Sequence, residues 1–267
     1  MMIDADRTPW PDVAAAFDRG AGLAVLPFGA FEQHGPHLPL GTDTATAAEV
    51  AGRLADRLDA VLLPPVHYGD TWNTAGYRGT LSLSTATVTA IVVDLGRALA
   101  ASGAGGLIVV NGDWGNRAPL YAATRLLIDQ GVLPTVTLDH PGMEDAIDEV
   151  RESRAAAPGL AHADEIETSI MLRVAPDDVR RDRYEASYPV FPSDFGTTPM
   201  QLHPFSASGV FGDPSSATAE KGERLLEATV EGAMAVLDDF VASIEHARSR
   251  ARDRSSAGGP TAGAVDR

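Results

Sequence analysis

A twelve-residue stretch of the chain, residues 32–43, concentrates side chains of the types that bind metal ions. It reads EQHGPHLPLGTD, with Glu32 and His34 two positions apart and a second carboxylate at Asp43. Residues two apart in an extended chain point to the same side, so Glu32 and His34 can share one ion. Carboxylate and imidazole ligands suit zinc, manganese and iron(II). The alternative is a polar surface turn in which Asp43 caps the following helix.

The neighbouring elements place this stretch at the edge of a sheet. The apolar run of residues 23–27 predicts a buried strand, and residues 32–43 follow its carboxyl end. A second apolar run, residues 106–110, delivers residues 111–116 to the same edge. Open α/β sheets bind their ligands at this edge. We therefore expect the candidate metal ligands to meet there, namely Glu32, His34, Asp43 and Asp113.

Short apolar runs alternate with longer helical patterns, which is typical of a parallel sheet covered on both faces. The pattern predicts a single-domain three-layer α/β/α sandwich with a mostly parallel central sheet over residues 1–248. Predicted strands are residues 21–27, 60–63 and 106–110, and predicted helices are residues 11–19, 44–58, 85–101, 117–130 and 216–246. Residues 249–267 are rich in Arg, Ser, Gly and Ala, which predicts a disordered tail.

Composition excludes several classes of partner. The 267 residues carry a formal net charge of −16, which disfavours binding to nucleic acids and anionic membranes. The sequence has no run of about 18 apolar residues, so no membrane span is predicted. It also has no cysteine and no apolar signal segment at its N-terminus. We therefore expect a soluble cytoplasmic protein.

Four motifs, in the same order along the chain, resemble those of the creatininase family of metal-dependent amidohydrolases. They are residues 32–43, 79–83 (GTLSL), 162–169 (HADEIETS) and 209–222, which contain GVFGDP and ATAEKG. The resemblance implies an enzyme that hydrolyses a C–N bond with one or two divalent ions of zinc, manganese or iron. It implies that Asp43 bridges two ions, that Glu32 binds one and that His34 binds the other. It also implies a homo-oligomer, often a hexamer.

The chain departs from the family pattern at residues 111–116. Relatives usually have Asn-Gly-His followed by Gly-Gly-Asn or Tyr-Glu-Asn, whereas this chain has NGDWGN. Asp113 therefore stands where a metal-binding histidine is expected, and an aspartate makes the site harder and more negative. Gly115 cannot replace a glutamate ligand, so a second ion would need Glu165, Glu167 or water.

The motif at residues 162–169 contains the candidate catalytic residues Glu165, His162 and Glu167. On an ideal helix His162 and Glu165 share a face, while Glu167 lies about 140° from His162. If the helix starts near Asp164, His162 can still turn into the site. We expect Glu165 to complete the second ion or to accept a proton from water, and His162 to donate to the leaving nitrogen or the oxyanion. Glu167 either takes part in the site or caps a neighbouring element.

Four further residues are candidates for substrate binding, namely Trp72, Tyr77, Trp114 and His37. The loop of residues 70–80 differs from that of many relatives and is expected to meet the substrate, and Trp114 follows Asp113. Aromatic side chains in site loops can form the walls of a pocket, although ordinary packing is the alternative. For His37 the alternative is a positioning or core histidine.

These features together predict a metal-dependent amidohydrolase that cleaves a C–N bond in a small cyclic amide, a linear amide or a short peptide. One alternative is a family member that has lost its metal and acts as a binding or scaffold protein, because of Asp113 and Gly115. Another is a metal enzyme that runs a different ring-opening reaction in a specialised pathway.

The region from Tyr188 to Phe205 is rich in apolar and aromatic residues but has weak secondary-structure signals. Such a segment is too apolar for a free loop. It predicts either a lid over the site of the same subunit or, as we expect, an arm packed on a neighbour in a homo-oligomer.

Overall fold

The computed structural model describes residues 2–257. At its centre lies a five-stranded parallel sheet with the strand order β1-β3-β2-β4-β5. The strands are β1 (Ile3–Asp4), β2 (Leu23–Phe28), β3 (Val61–Leu62), β4 (Gly106–Asn111) and β5 (Thr135–Leu138). The helices are α1 (Trp10–Phe17), α2 (Thr42–Arg57), α3 (Thr85–Ala101), α4 (Arg117–Asp129), α5 (Met143–Val150), α6 (Glu165–Val174) and α7 (Ala219–Ala257).

The two central strands, β2 and β4, explain the layered architecture. All six residues of each strand are buried, so both faces of the sheet must be covered by helices. On one face, Val25 and Ile108 belong to a core with α2, α5, α6 and α7. On the other face, Leu26 and Leu107 pack with α1, α3 and α4. The predicted three-layer α/β/α fold with a parallel sheet is confirmed.

Local sequence signals define the ends of two helices that matter for the site. Ser84 caps α3 by accepting a hydrogen bond from the backbone N–H of Thr87. Asp164 caps α6 by accepting one from the N–H of Ile166 at 2.9 Å. These are the side-chain types that satisfy the free N–H groups of a first helical turn. α6 therefore begins at Glu165, close to the predicted position.

The structure differs from the sequence-based expectation in its short elements and at its C-terminal end. β1, β5 and α5 were not among the predicted elements. α7 extends to Ala257, beyond the predicted helix end at residue 246 and into the segment predicted as a disordered tail. Residues 258–267 lie outside the described part of the chain. Within residues 2–257, no helix has both the length and the apolar content needed to cross a membrane.

Candidate metal centre

The two central strands end side by side, at the point where the candidate ligands begin. Phe28 at the end of β2 lies opposite Asn111 at the end of β4. The strand that follows β2 in the chain, β3, pairs with the other edge of β2. The loops after β2 and β4 therefore diverge and leave a crevice, which is where parallel α/β sheets bind their ligands.

Six titratable side chains converge in this crevice. Their possible ligand atoms form three overlapping sets, and within each set all of these atoms lie within 4.8 Å of one another. The sets are Glu32/His34/His162, His34/Asp43/Glu167 and Glu32/Asp43/Asp113. His34 Nε2 lies 3.1 Å from Asp43 Oδ1 and 3.6 Å from Glu167 Oε2. The structure thus brings the four predicted metal ligands together and adds His162 and Glu167.

The cluster fits divalent cations. Asp43 Oδ2 and Asp113 Oδ2 are buried without a hydrogen-bond partner. Among the described residues, no Lys or Arg forms an ion pair with any of the four carboxylates. Buried carboxylates this close repel one another unless a cation lies among them. The oxygen and imidazole donors suit zinc and manganese, and the carboxylate of Asp113 makes the set harder than an imidazole would.

Burial, together with repulsion among the carboxylates, shifts the pKa values of the cluster. Burial, followed by the charges of Asp113 and Asp43, raises the pKa of Glu32 well above its ordinary value. Burial and the charge of Asp43 do the same to the pKa of Asp113. Burial raises the pKa of Glu167 to about 7. Burial alone would lower the pKa of His34. The carboxylates of Asp43 and Glu167 together raise it by more, so the net shift of the His34 pKa is upward. Metal binding displaces such protons and supplies the missing positive charge.

His162 lies at the edge of the cluster, where Gln33 holds it. Its Nε2 lies 2.8 Å from the side-chain nitrogen and 2.9 Å from the backbone oxygen of Gln33. Its Nδ1 lies 3.8 Å from Glu32 Oε1, and its ring centroid lies 4.5 Å from that of His34. Burial, followed by the charge of His34, lowers the pKa of His162, which favours the neutral imidazole. Nδ1 is therefore the nitrogen that faces the cluster.

Glu165 points away from the metal cluster, although it is fully buried. Its carboxylate accepts hydrogen bonds from the backbone N–H groups of Glu152 and Ser153 and from Lys221 Nζ. The structure therefore does not bring Glu165 to the cluster, where it was predicted to complete a second ion or to accept a proton, because these donors occupy its oxygens. Glu167, two residues further along α6, faces the cluster instead and also accepts from the N–H of Ala163.

This cluster lies within the part of the chain that matches a known family. The model of the family Creatininase, described as creatinine amidohydrolase, matches residues 6–237. The chain belongs to the creatininase family.

Curated relatives and solved structures agree with this assignment. The chain is 35% identical over 230 residues to the mycofactocin precursor peptide peptidase of Mycolicibacterium smegmatis, covering 79% of this chain and 82% of the relative. It is 31% identical over 261 residues to the creatinine amidohydrolase of Pseudomonas putida, covering 86% and 95%. A solved manganese creatininase has a TM-score of 0.79 and 29% identity, covering 90% of this chain and 99% of its own. A Zn-Zn type creatininase mutant has a TM-score of 0.78 at the same identity and coverage.

Side chains that sequence reasoning missed hold the candidate ligands of this site in place. The hydroxyl of Thr74 donates to Glu32 Oε2. Asn111 receives the backbone N–H of Asp113 and donates to its carbonyl oxygen, while its amide also donates to Asp139 Oδ1 at 3.0 Å. Asn111 stands inside the recognised motif, but Asp139 follows β5, a strand without a clear sequence signal.

Two of the predicted substrate-binding residues have other roles. The fully buried His37 lies with Nε2 2.9 Å from Thr168 Oγ1 and contacts the ring of Tyr184, so it is a core histidine. Burial, followed by the charge of His34, lowers the pKa of His37 to about 4. The hydroxyl of Tyr77 donates to the backbone oxygen of Ser206 at 2.6 Å, which ties two loops together. The assignment of His37 and Tyr77 to substrate binding is therefore not supported.

The other two, Trp72 and Trp114, line an open cleft of about 430 Å³. We call it the tryptophan cleft; its lining includes Asp70, Trp72, Asn73, Leu83, Trp114 and Gly115. A Cβ on Gly115 would collide with the carbonyl oxygen of Asp70 and would contact Asp113 Oδ2 at 3.1 Å. A glutamate therefore cannot stand at position 115 in this backbone.

The aromatic segment also has partners within its own chain. The rings of Phe191 and Phe195 stack at 3.9 Å, and Phe191 also contacts Phe205 and Phe211. Phe211 in turn pairs with His162 through its backbone N–H at 3.0 Å. This segment therefore packs beside the site of its own chain. The predicted homo-oligomer stays a prediction.

Proposed function

We propose that this protein is a metal-dependent amidohydrolase that cleaves a C–N bond in a small cyclic amide, a linear amide or a short peptide. The observation that carries the proposal is the buried cluster of four carboxylates and two imidazoles at the carboxyl ends of β2 and β4. Family membership supports it, since the matched family is described as creatinine amidohydrolase. Manganese and zinc are the first ions to test, because two solved creatininases are described by these ions, one as a manganese form and one as a Zn-Zn type.

The residues have distinct roles in this proposal. Glu32, His34, Asp43, Asp113 and Glu167 hold one or two divalent ions. When bound, such ions polarise a substrate carbonyl and make hydroxide available at neutral pH. Neutral His162 presents Nδ1 to the reacting region, where it takes a proton from the attacking water and delivers it to the leaving nitrogen. Gln33 fixes the orientation of the His162 ring through the opposite nitrogen.

The tryptophan cleft supports a substrate that extends beyond the scissile bond. Its volume of about 430 Å³ lies in the range of pockets that bind drug-sized molecules. One relative is named as a peptide peptidase and another as a creatinine amidohydrolase. A short peptide is therefore the first substrate to test, with creatinine as the small-ring comparison.

The alternative, a metal-free binding or scaffold protein, was motivated by Asp113 and Gly115. Asp113 lies within the cluster and contributes an oxygen that has no other partner. The substitution of histidine by aspartate therefore changes the donor set and does not remove it, which favours the enzyme.

Metal content and turnover test the proposal in one experiment. The protein is reconstituted with manganese or zinc, desalted and analysed for bound metal, and hydrolysis of peptides and creatinine is followed by mass spectrometry. Asp43→Ala should lose both metal and turnover, because Asp43 belongs to two of the three ligand sets. Asp94→Ala is the control, since the side chain of Asp94 is 78% exposed on α3. Less than about a tenth of an ion per chain in the wild type, or wild-type turnover in Asp43→Ala, would refute the proposal.

A further inference from the structure

The tryptophan cleft is connected to the metal cluster through two short turns. The turn Trp72–Thr74 forms one wall and carries Thr74, whose hydroxyl donates to Glu32. The turn Trp114–Asn116 forms another wall and directly follows Asp113, which belongs to the cluster. The wall of the cleft is therefore continuous in the chain with two residues of the site, Thr74 and Asp113.

The lining of the cleft combines aromatic faces with a carboxylate. Trp72 is 48% exposed and Trp114 is 64% exposed, so both indoles are available to a ligand. Asp70 lines the same cleft and accepts a hydrogen bond from Thr85 Oγ1 at 2.6 Å through one oxygen. Among the described residues that line it, none is Lys, Arg or His.

This combination selects for positive charge. The face of an indole carries negative potential and attracts cations more strongly than any other aromatic side chain does. The carboxylate of Asp70 adds a full negative charge, and a carboxylate ligand would find no basic partner in the lining. Exposed tryptophans beside a carboxylate are therefore better matched to a cation than to a neutral or anionic group.

We propose that the tryptophan cleft is a substrate subsite that binds a positively charged organic group, an ammonium or guanidinium, next to the scissile bond. The proposal rests on the proposed function, because it assigns the substrate class of that same site. Trp72 and Trp114 contact the cation with their ring faces, and Asp70 supplies the counter-charge.

The three tryptophans of the chain allow a direct binding test. Trp10 is 81% exposed on α1 and does not line the cleft. In the zinc-reconstituted Trp10→Phe protein, fluorescence therefore reports only on Trp72 and Trp114. The probes are propylguanidinium and propylurea, which have nearly the same shape and differ in charge, with pentanoate as the anion, all at one ionic strength.

We expect saturable fluorescence changes with propylguanidinium, at an affinity roughly threefold to thirtyfold higher than with propylurea. Asp70→Asn should remove most of this preference while it keeps an acceptor for Thr85, and Asp94→Asn on α3 should keep it. Trp72→Leu and Trp114→Leu should each weaken binding of the cation, measured by calorimetry, with the far-ultraviolet circular dichroism unchanged.

Three results would overturn the proposal. One is equal affinity for propylguanidinium and propylurea, or tighter binding of pentanoate. Another is a cation preference that survives both Asp70→Asn and the loss of the two indoles. The third is a change of molecular mass in Trp72→Leu or Trp114→Leu, which would make the cleft a subunit contact. Binding is measured without turnover, so a protein that binds the cation but hydrolyses no amide would refute the proposed function alone.

Discussion

Two glutamates on α6, Glu165 and Glu167, should respond to the same substitution in opposite ways. Both carboxylates lie in the first turn of the helix, two residues apart. Glu165 bonds to Lys221 and to two backbone N–H groups, whereas Glu167 faces His34 in the metal cluster. We expect Glu165→Gln to lower stability and keep metal binding, and Glu167→Gln to lower metal binding.

The size of the stability effect follows from the surroundings of Glu165. The side chain is fully buried, and that of Lys221 is 13% exposed. Removing one partner of a buried, hydrogen-bonded ion pair costs up to about 3–5 kcal/mol. Lys221 keeps its contacts with Glu152 and Ser216, so we expect about 2–4 kcal/mol for Glu165→Gln. In a protein of this size, that is a fall in the melting temperature of roughly 10 °C.

The pH dependence of Glu165 gives a second readout. Burial raises the pKa of Glu165, but hydrogen bonds from Lys221 and Ser153 outweigh it, so the net pKa lies below the ordinary value of 4.5. A carboxylate with a lowered folded-state pKa stabilises the fold above its unfolded-state pKa. This contribution is lost as the pH falls through the lowered value. The stability difference between wild type and Glu165→Gln should therefore be full at neutral pH and shrink in acid.

Melting is measured in chelator, because bound metal would itself stabilise the folded state. Metal content is measured after reconstitution and desalting. Glu167→Gln should lower metal affinity at least about tenfold. Replacing a residue that only supports a metal ligand typically lowers metal affinity about 10–100-fold. The reasoning fails if Glu165→Gln loses metal at an unchanged melting temperature, or if Glu167→Gln binds metal like the wild type.

Three further predictions concern other parts of the molecule. Asp113→His should retain metal and shift the preference toward zinc, as measured by competition with manganese; unchanged metal binding in both Asp113→His and Asp113→Ala would place Asp113 outside the site. The pKa of His37 is lowered to about 4 in the folded protein, so protons bind more readily to the unfolded chain as the pH falls. Urea unfolding of the metal-free wild type should therefore show the free energy of unfolding falling by on the order of 2 kcal/mol between pH 7 and pH 5, and His37→Gln should show a smaller fall. An equal loss in both would contradict this role of His37. Light scattering should give a mass above that of the 28.0 kDa monomer, and replacing Phe191 and Phe195 by serine should lower this mass. A monomeric wild type would rule the oligomer out, and an unchanged mass in the variant would place the interface elsewhere.

Local sequence was sufficient to predict the sheet and most of the cluster. β2 and the first five residues of β4 are continuous apolar runs, which is what a strand covered on both faces requires. Polar motifs directly follow both runs, and parallel strands present their carboxyl ends at one edge. The convergence of Glu32, His34, Asp43 and Asp113 then follows from chain order, without knowledge of any distant contact.

Other features depended on contacts between segments far apart in the chain. The roles of Glu165 and Glu167 could not be separated from the sequence, because they depend on which side of α6 packs against α7. The α7 residue Lys221, which bonds to Glu165, lies 56 residues further along the chain. The hydrogen bond between His37 and Thr168 joins residues 131 positions apart, and β5 is too short to show a period before it delivers Asp139 to the site. The sequence by itself determined the type of sheet, the edge where the candidate ligands meet and most of that candidate set, since these follow from local patterns of apolar and polar residues. Only the tertiary structure decided which acid faces the metal cluster and which histidine is core, because burial and charge partners arise when distant segments pack together.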